Sequence, residues 1–259
     1  YNKQSISKDD IKSVSEALKE DIITRGNLVD KFEKEICKIT KSKFSTSFNS
    51  ASSALTASCF ALDINKNDLV WTVPNTFVST ASSALHFSAR IDFVDIDKKD
   101  KNICLEQLEQ KLIFSNKKNQ LPKLLITVHF AGQPTKQEKI FKLAKKYRFK
   151  ILEDASHSFG AFRKKEPVGS CKWSDITVSS FHPVKTITTG EGGVACCKSK
   201  NIDRKLKIFK NNGIEKDKKY FKNKIGLFYY EQQYLGHNFH MSDINAALGL
   251  SQLKKIKKF

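Results

Sequence analysis

Leu124-Leu125-Ile126-Thr127-Val128 is a short apolar run, and Lys150-Ile151-Leu152 is a second, ending in Glu153-Asp154. Between them Lys136 to Tyr147 reads as a helix. Strand, helix, strand at this spacing is the crossover unit that joins parallel neighbours in one sheet. The same alternation extends in both directions. Toward the start lie strands at Phe44 to Phe48, Leu69 to Val73 (stopped by Pro74) and Ile91 to Val94. The helices between and after them run from Ala51 to Leu62, Thr76 to Phe87 and Leu105 to Phe114. Toward the end lie strands at Asp175 to Ser180 and Gly193 to Cys197, then helices at Ile202 to Phe209 and Ser242 to Ile256. Two helices precede the alternation. One starts at Ser7-Lys8-Asp9-Asp10 with Ile11, Val14 and Leu18 on one face, and the other carries Leu28, Phe32 and Ile36 at spacing four. The expected class is α/β, with a mostly parallel central sheet flanked by helices and ligands at the carboxyl ends of its strands.

The 259 residues, 39% hydrophobic and 28% charged, exclude a disordered tail, and no apolar run reaches the ~18 residues of a membrane span. The length is enough for a core that needs neither disulfides nor metals. Lys+Arg 46 against Asp+Glu 27 gives +19. Five of these cations are Arg, at 25, 90, 148, 163 and 204, whereas Arg is the usual reader of phosphates and bases. The Lys are spread along the chain, densest from Lys198 to Lys224, and Phe, Ile, Asn and Lys are all common, as an AT-rich coding sequence produces. Composition therefore explains the charge ahead of nucleic-acid binding, and the charge also suits a diphosphate-bearing substrate. Six cysteines at 37, 59, 104, 171, 196 and 197 show no C-x-x-C spacing and fit buried hydrophobes in a reducing cytoplasm. Glu215 to Lys224 is the one plausible hinge.

Three strand ends carry complementary polar groups. Asn49-Ser50-Ala51-Ser52-Ser53 opens a helix with small residues, which suits a phosphate, although Ser and Asn there are also ordinary caps. Glu153-Asp154-Ala155-Ser156-His157 puts a carboxylate where it pairs with a protonated ring nitrogen or caps the next helix. Ser180-Phe181-His182-Pro183-Val184-Lys185 puts an amine among small and apolar residues, in a stretch with no other Lys from Trp173 to Cys197. A desolvated amine gives up its proton readily and forms a Schiff base. Gly190, Gly192 and Gly193 allow a tight turn beside it. A phosphate cradle, an acidic partner and an amine are what pyridoxal 5'-phosphate (PLP) requires. Gly190-Glu191-Gly192-Gly193 is neither a Walker A loop nor G-x-G-x-x-G, no G-x-S-x-G elbow is present, and His237 with His240 lacks the further ligands of a zinc site.

With these residues in view, the chain resembles the DegT/StrS family of nucleotide-sugar aminotransferases. Matching segments include Thr24-Arg25-Gly26, Asn49 to Leu55, Pro74-Asn75-Thr76-Phe77-Val78, Phe93 to Asp97 and His129 to Pro134. They continue through Glu153 to His157, Ser180 to Lys185, Gly190 to Gly193, Gly236 to Phe239 and Ala246 to Leu253. The resemblance implies the large domain of a PLP-dependent transferase of the aspartate aminotransferase type I fold. It implies that Lys185 carries the cofactor, Asp154 partners the pyridine nitrogen, Ala51, Ser52 and Ser180 take the phosphate, and Phe77 stacks on the ring. It sets His157 near the ring and has Asn238 reach the phosphate of a neighbouring subunit in a homodimer. The implied reaction moves an amino group from L-glutamate to the C4 ketone of a UDP-linked 4-keto-6-deoxy-N-acetyl sugar, of the pseudaminic acid type. A family dehydratase is the alternative; it carries His at the position of Lys185, and His182 lies three residues too early. A non-catalytic basic protein that contacts nucleic acid through Lys198 to Lys224 is another. Relatives often carry Arg where His240 stands, and they continue beyond Phe259. We accordingly expect residues 1–240 to form the PLP-binding domain, and 241–259 to begin the helix leading to a smaller domain outside this chain. Tyr1 rather than Met stands first, and we expect residues ahead of it.

Overall fold

A computed structural model describes residues 3–222, 226 and 229–258; Lys224, the far end of the Lys-rich stretch and of the expected hinge, lies outside them. The first half of the chain runs α1 (Lys8–Ala17), α2 (Asn27–Thr40), β1 (Phe44–Phe48), α3 (Ala51–Ala61), β2 (Leu69–Thr72), α4 (Val78–Leu85), β3 (Arg90–Phe93) and α5 (Leu105–Lys117). The second half runs β4 (Leu124–Val128), α6 (Gln137–Tyr147), β5 (Lys150–Asp154), β6 (Phe162–Arg163), β7 (Glu166–Pro167), β8 (Ile176–Ser180), β9 (Gly193–Cys197), α7 (Lys200–Lys210), β10 (Ile214–Glu215), β11 (Glu231–Gln232) and α8 (Asp243–Leu253).

Seven strands form one sheet in the order β1-β9-β8-β5-β4-β2-β3. The pairs β3–β2, β2–β4, β4–β5 and β5–β8 are parallel. β9 lies antiparallel to both β8 and β1, so β1 points the same way as the parallel strands. The carboxyl ends of β1, β2, β4, β5 and β8 therefore share one edge of the sheet, where the start of β9 joins them.

Both faces are covered, and the strands alternate between them. Leu124, Ile126 and Leu152 pack with α3 residues Leu55 and Cys59 and with Leu206 and Phe209 of α7. Leu125 and Ile151 face the opposite way, onto Leu108, Leu112, Ile140 and Ala144 of α5 and α6. A third cluster seats Phe32 and Ile36 of α2 against Phe181, Val194, Met241 and Leu253. Each fully buried Leu, Ile or Phe contributes about 1.5–3 kcal/mol, and the sheet–helix layers are built from many of them.

Several elements differ from expectation. The face of α1 that carries Ile11 and Leu18 is exposed; α1 buries Asp10 and Ala17 instead. A polar anchor decides this: Asp10 accepts from Gln252 Nε2 at 2.9 Å and from Lys255 Nζ, while Ser13 donates to the Ala247 carbonyl. α4 starts two residues later than expected, with Phe77 at its cap position, and α7 starts earlier because Ser199 accepts from the Ile202 amide. The helix expected over Ser242 to Ile256 ends at Leu253 and passes through Lys254 into a single 3-10 turn at Ile256–Lys258, so it does not run on as one helix. The two short hairpins, β6–β7 and β10–β11, have no counterpart in the expected elements.

Candidate active site

The β1–α3 turn supplies the first wall of the site. Ser50 caps α3, its Oγ accepting from the Ser53 amide at 3.1 Å. The amides of Ala51 and Ser52 belong to the first turn, whose N–H groups a helix leaves unpaired. Gly193 is needed here: a Cβ on it would come within 2.5 Å of the Ala51 nitrogen and the Ser50 carbonyl carbon. That close approach sets the start of α3 against the end of β8, since Ser180 and Phe48 both pair with Gly193. Ala51, Ser52 and Ser180 thus lie around one small-residue corner at a helix N-terminus, a place that favours an anionic group.

Asp154, the last residue of β5, is buried and oriented by three donors. Thr80 Oγ1 reaches its Oδ2 at 2.6 Å, and the Ser156 hydroxyl and amide reach its Oδ1 at 2.6 and 3.2 Å. Thr80 lies in the first turn of α4, its amide donating at 3.0 Å to the carbonyl of Phe77, the cap residue. Phe77 is 73% exposed, an unusual setting for a large apolar ring and one that leaves its face available for stacking.

Lys185 stands in the loop after β8, its amide donating to the His182 carbonyl at 2.9 Å. The loop is braced by α8: Asn245 Nδ2 donates to the Thr189 carbonyl at 2.6 Å. Among the described residues the Lys185 amine has no hydrogen bond or ion pair. Burial pushes its pKa down, and the opposing pull is the charge of Asp154. Burial and the Lys185 charge likewise push His157 down, against Asp154. Asp154 ends β5, His157 follows it by three residues, and Lys185 lies in the loop after β8, the parallel neighbour of β5, so the three stand at adjacent strand ends.

The structure therefore brings together Ala51, Ser52, Phe77, Asp154, His157, Ser180 and Lys185 along one edge of the sheet. Asn238 stands apart. It is exposed, bridges Asn211, and among the described residues makes no hydrogen bond or ion pair with Asp154 or Lys185. Its neighbour Phe239 accepts from the Asn49 amide at 3.0 Å, so Asn238 flanks the β1–α3 turn from outside.

A scan against protein families matches residues 4–259 to the DegT/DnrJ/EryC1/StrS aminotransferase family. The chain belongs to that family. Similar proteins include the UDP-4-amino-4,6-dideoxy-N-acetyl-beta-L-altrosamine transaminase of Campylobacter jejuni, 38% identical over 256 residues, which are 99% of this chain and 64% of that protein. Among solved structures, Helicobacter pylori PseC, an aminotransferase involved in the biosynthesis of pseudoaminic acid, superposes with a TM-score of 0.87 at 32% identity, over 100% of this chain and 66% of that one. The putative sugar aminotransferase Spr1654 of Streptococcus pneumoniae, solved in PLP and PMP forms, gives TM-scores of 0.86 and 0.87 at 25% and 26% identity, over 100% of this chain and 67% and 68% of those. The chain spans about 64% of the length of the first curated relatives it matches. The central sheet expected from the strand–helix alternation is the sheet of DegT/DnrJ/EryC1/StrS proteins.

His240 Nε2 donates to Asn211 Oδ1 at 3.1 Å, and burial with nearby Arg25 and Lys210 pushes its pKa down to about 4. The imidazole is therefore neutral at the position where the resemblance implies Arg.

Sequence reasoning missed Thr80 and Ser156 as the groups that aim Asp154. A Thr near a helix start and a Ser two residues past a strand-end Asp are the signals that point to them. It also missed the environment of Glu153, which turns away from the site.

Proposed function

We propose that this chain carries the PLP site of an aminotransferase that acts on a nucleotide-linked keto sugar. The observation that carries the reading is the amine of Lys185, without a partner among the described residues, set against an Asp154 carboxylate already oriented by Thr80 and Ser156. The donor set fits the cofactor. Ala51 and Ser52 amides with the Ser52 and Ser180 hydroxyls would hold its phosphate, Phe77 would cover one face of its ring, and Asp154 would hold the ring nitrogen in its protonated form. PLP, when bound, supplies an electron sink for the pair released when a Cα–H bond of the amino donor breaks.

The chain's own groups do the rest. Lys185 would hold the cofactor, and its free amine would be the base that takes the donor's Cα proton and the acid that passes it on. Its depressed pKa keeps a larger neutral fraction than an exposed Lys has, which a base requires. Thr80 and Ser156 keep Asp154 from turning away, so its charge stays where ring protonation needs it. His157, its pKa also lowered by burial and by the Lys185 charge, stands beside the pair as a polar group.

L-glutamate is the amino donor in this reading, and the acceptor is the C4 ketone of a UDP-linked 4-keto-6-deoxy-N-acetyl sugar; the names of the Campylobacter jejuni and Helicobacter pylori transaminases support the acceptor. Asn238, exposed beside the β1–α3 turn, would complete the phosphate site of a second subunit in a homodimer. Six free cysteines fit a cytoplasmic setting, and no helix among the described residues is long and apolar enough to cross a membrane.

Spectroscopy tests the reading. Purified protein incubated with PLP is expected to develop a protein-bound absorbance near the visible edge, and L-glutamate in stoichiometric excess is expected to bleach it without any sugar present. A cofactor that stays free in solution overturns the proposal.

A further inference from the structure

Successive residues of a strand point to opposite faces of a sheet, and the last two of β5 are both carboxylates. Asp154 faces α4 and the site. Glu153 faces the other way, on the side of Ile151, and its carboxylate is 1% exposed. Four donors surround it. Ser174 and Thr177 reach Oε1 at 2.5 and 2.9 Å; His129 Nε2 at 3.1 Å and the Arg163 guanidinium reach Oε2. These fill the acceptor capacity of one carboxylate.

The charge balance sets the His129 tautomer. Arg163 already neutralises Glu153, and burial together with the Arg163 charge pushes the His129 pKa down to about 3. His129 is therefore neutral, donates from Nε2 to Glu153, and accepts at Nδ1 from the Ser158 hydroxyl 2.6 Å away. Ser158 also closes the turn after β5, its amide donating to the Ala155 carbonyl at 3.0 Å. That turn holds Ser156, which grips Asp154, and His157. The backbone amide of His129 donates in addition to the Asp154 carbonyl at 3.1 Å.

An ion pair closed off from water is no net gain in stability over apolar packing. What it fixes is geometry: both Glu153 oxygens and both His129 ring nitrogens are engaged, and in the series only Arg163 Nε is buried without a partner among the described residues. We propose that the buried series Arg163–Glu153–His129–Ser158 is the positioning device of the site: from the far face of the sheet it locks the 155–158 turn, and so fixes Asp154 and His157. Arg163, Glu153, His129 and Ser158 are positioning residues; none faces the Lys185 amine. The proposal rests on the PLP reading above.

The test separates the two. Ser158→Ala removes only the last link to the turn. Thr46→Val removes a buried hydrogen bond of similar size, from Thr46 Oγ1 to Asp203 at 2.9 Å, on β1 at the edge of the sheet. PLP affinity is measured by titration of the bound absorbance, and the pH midpoint of that band is followed in each protein. Ser158→Ala is expected to weaken PLP binding about fivefold, the factor one lost hydrogen bond is worth, and to displace the midpoint. Ser158→Thr, which keeps the hydroxyl, is expected to recover both, and Thr46→Val to match the parent. Glu153→Gln, if it folds, is expected to exceed Ser158→Ala in both readouts. If the parent binds no PLP, the cofactor reading itself fails. If the parent binds PLP and Ser158→Ala matches it in affinity and midpoint, or Thr46→Val is affected equally, the positioning role fails alone.

Discussion

Thr80 Oγ1 lies 2.6 Å from Asp154 Oδ2, joining the first turn of α4 to the last residue of β5 across 74 positions of sequence. This contact fixes the Asp154 carboxylate, and Phe77, the cap residue of α4, accepts at its carbonyl from the amide of the same Thr80 at 3.0 Å. Thr80→Val keeps the shape and removes the donor. It is expected to cost about 1 kcal/mol in unfolding free energy and to weaken PLP binding several-fold, checked by denaturant unfolding and by titration of the bound absorbance.

Gly193→Ala tests the corner beneath the phosphate. The added methyl would meet backbone atoms of Ser50 and Ala51 at 2.5 Å, and backbone gives way less readily than a flexible side chain. Forced insertions of this kind cost about 1–3 kcal/mol. The variant is expected to melt earlier and to lose affinity for PLP more than for a phosphate-free pyridoxal, since the displaced groups are the amides at the start of α3.

The pKa of Lys185 makes a pH prediction for the protein without cofactor. Burial holds the folded-state value below the ordinary 10.5 that the unfolded chain regains. Between those two values the unfolded state binds more protons, so stability rises with pH and levels off above 10.5. Lys185→Met is expected to remove that alkaline rise, measured as melting temperature against pH in both proteins. Identical alkaline slopes would show that the amine is solvated.

His129 gives the corresponding acid limb. Its folded value of about 3 lies below the ordinary 6.5, so stability is lost as pH falls through that window. His129→Gln, which offers an amide to Glu153 and Ser158, is expected to be less stable at neutral pH and to lose less on acidification. Parallel curves for the two proteins would contradict the neutral, buried imidazole.

The central sheet was legible because its strands are short apolar runs closed by polar or small residues. Phe44–Phe48, Leu124–Val128 and Gly193–Cys197 have the same limits in the structure as in the reading of the chain. Burial on both faces produces such runs. The pairing of β1 with β9 at the far edge was not legible, because nothing in either strand encodes a partner about 150 residues away. The exposed face of α1 shows the converse failure: Ile11 and Leu18 have helical spacing, but Asp10 decides which side docks. At the site, Lys185 and Asp154 stood out by residue type and place. Thr80 and Ser158 did not, because Ser and Thr are common in this chain and their importance lies in what they touch. The role of Glu153 was hidden by its neighbour: two adjacent strand-end carboxylates read as one motif, whereas the pleat sends them to opposite faces.

The most direct test of the account is to trap the cofactor where it sits. Purified protein loaded with PLP is reduced with borohydride, digested and analysed by peptide mass spectrometry. The account predicts one stable phosphopyridoxyl modification, on the peptide bearing Lys185, absent from Lys185→Ala. Labelling spread over surface lysines, or a single label elsewhere, would contradict it.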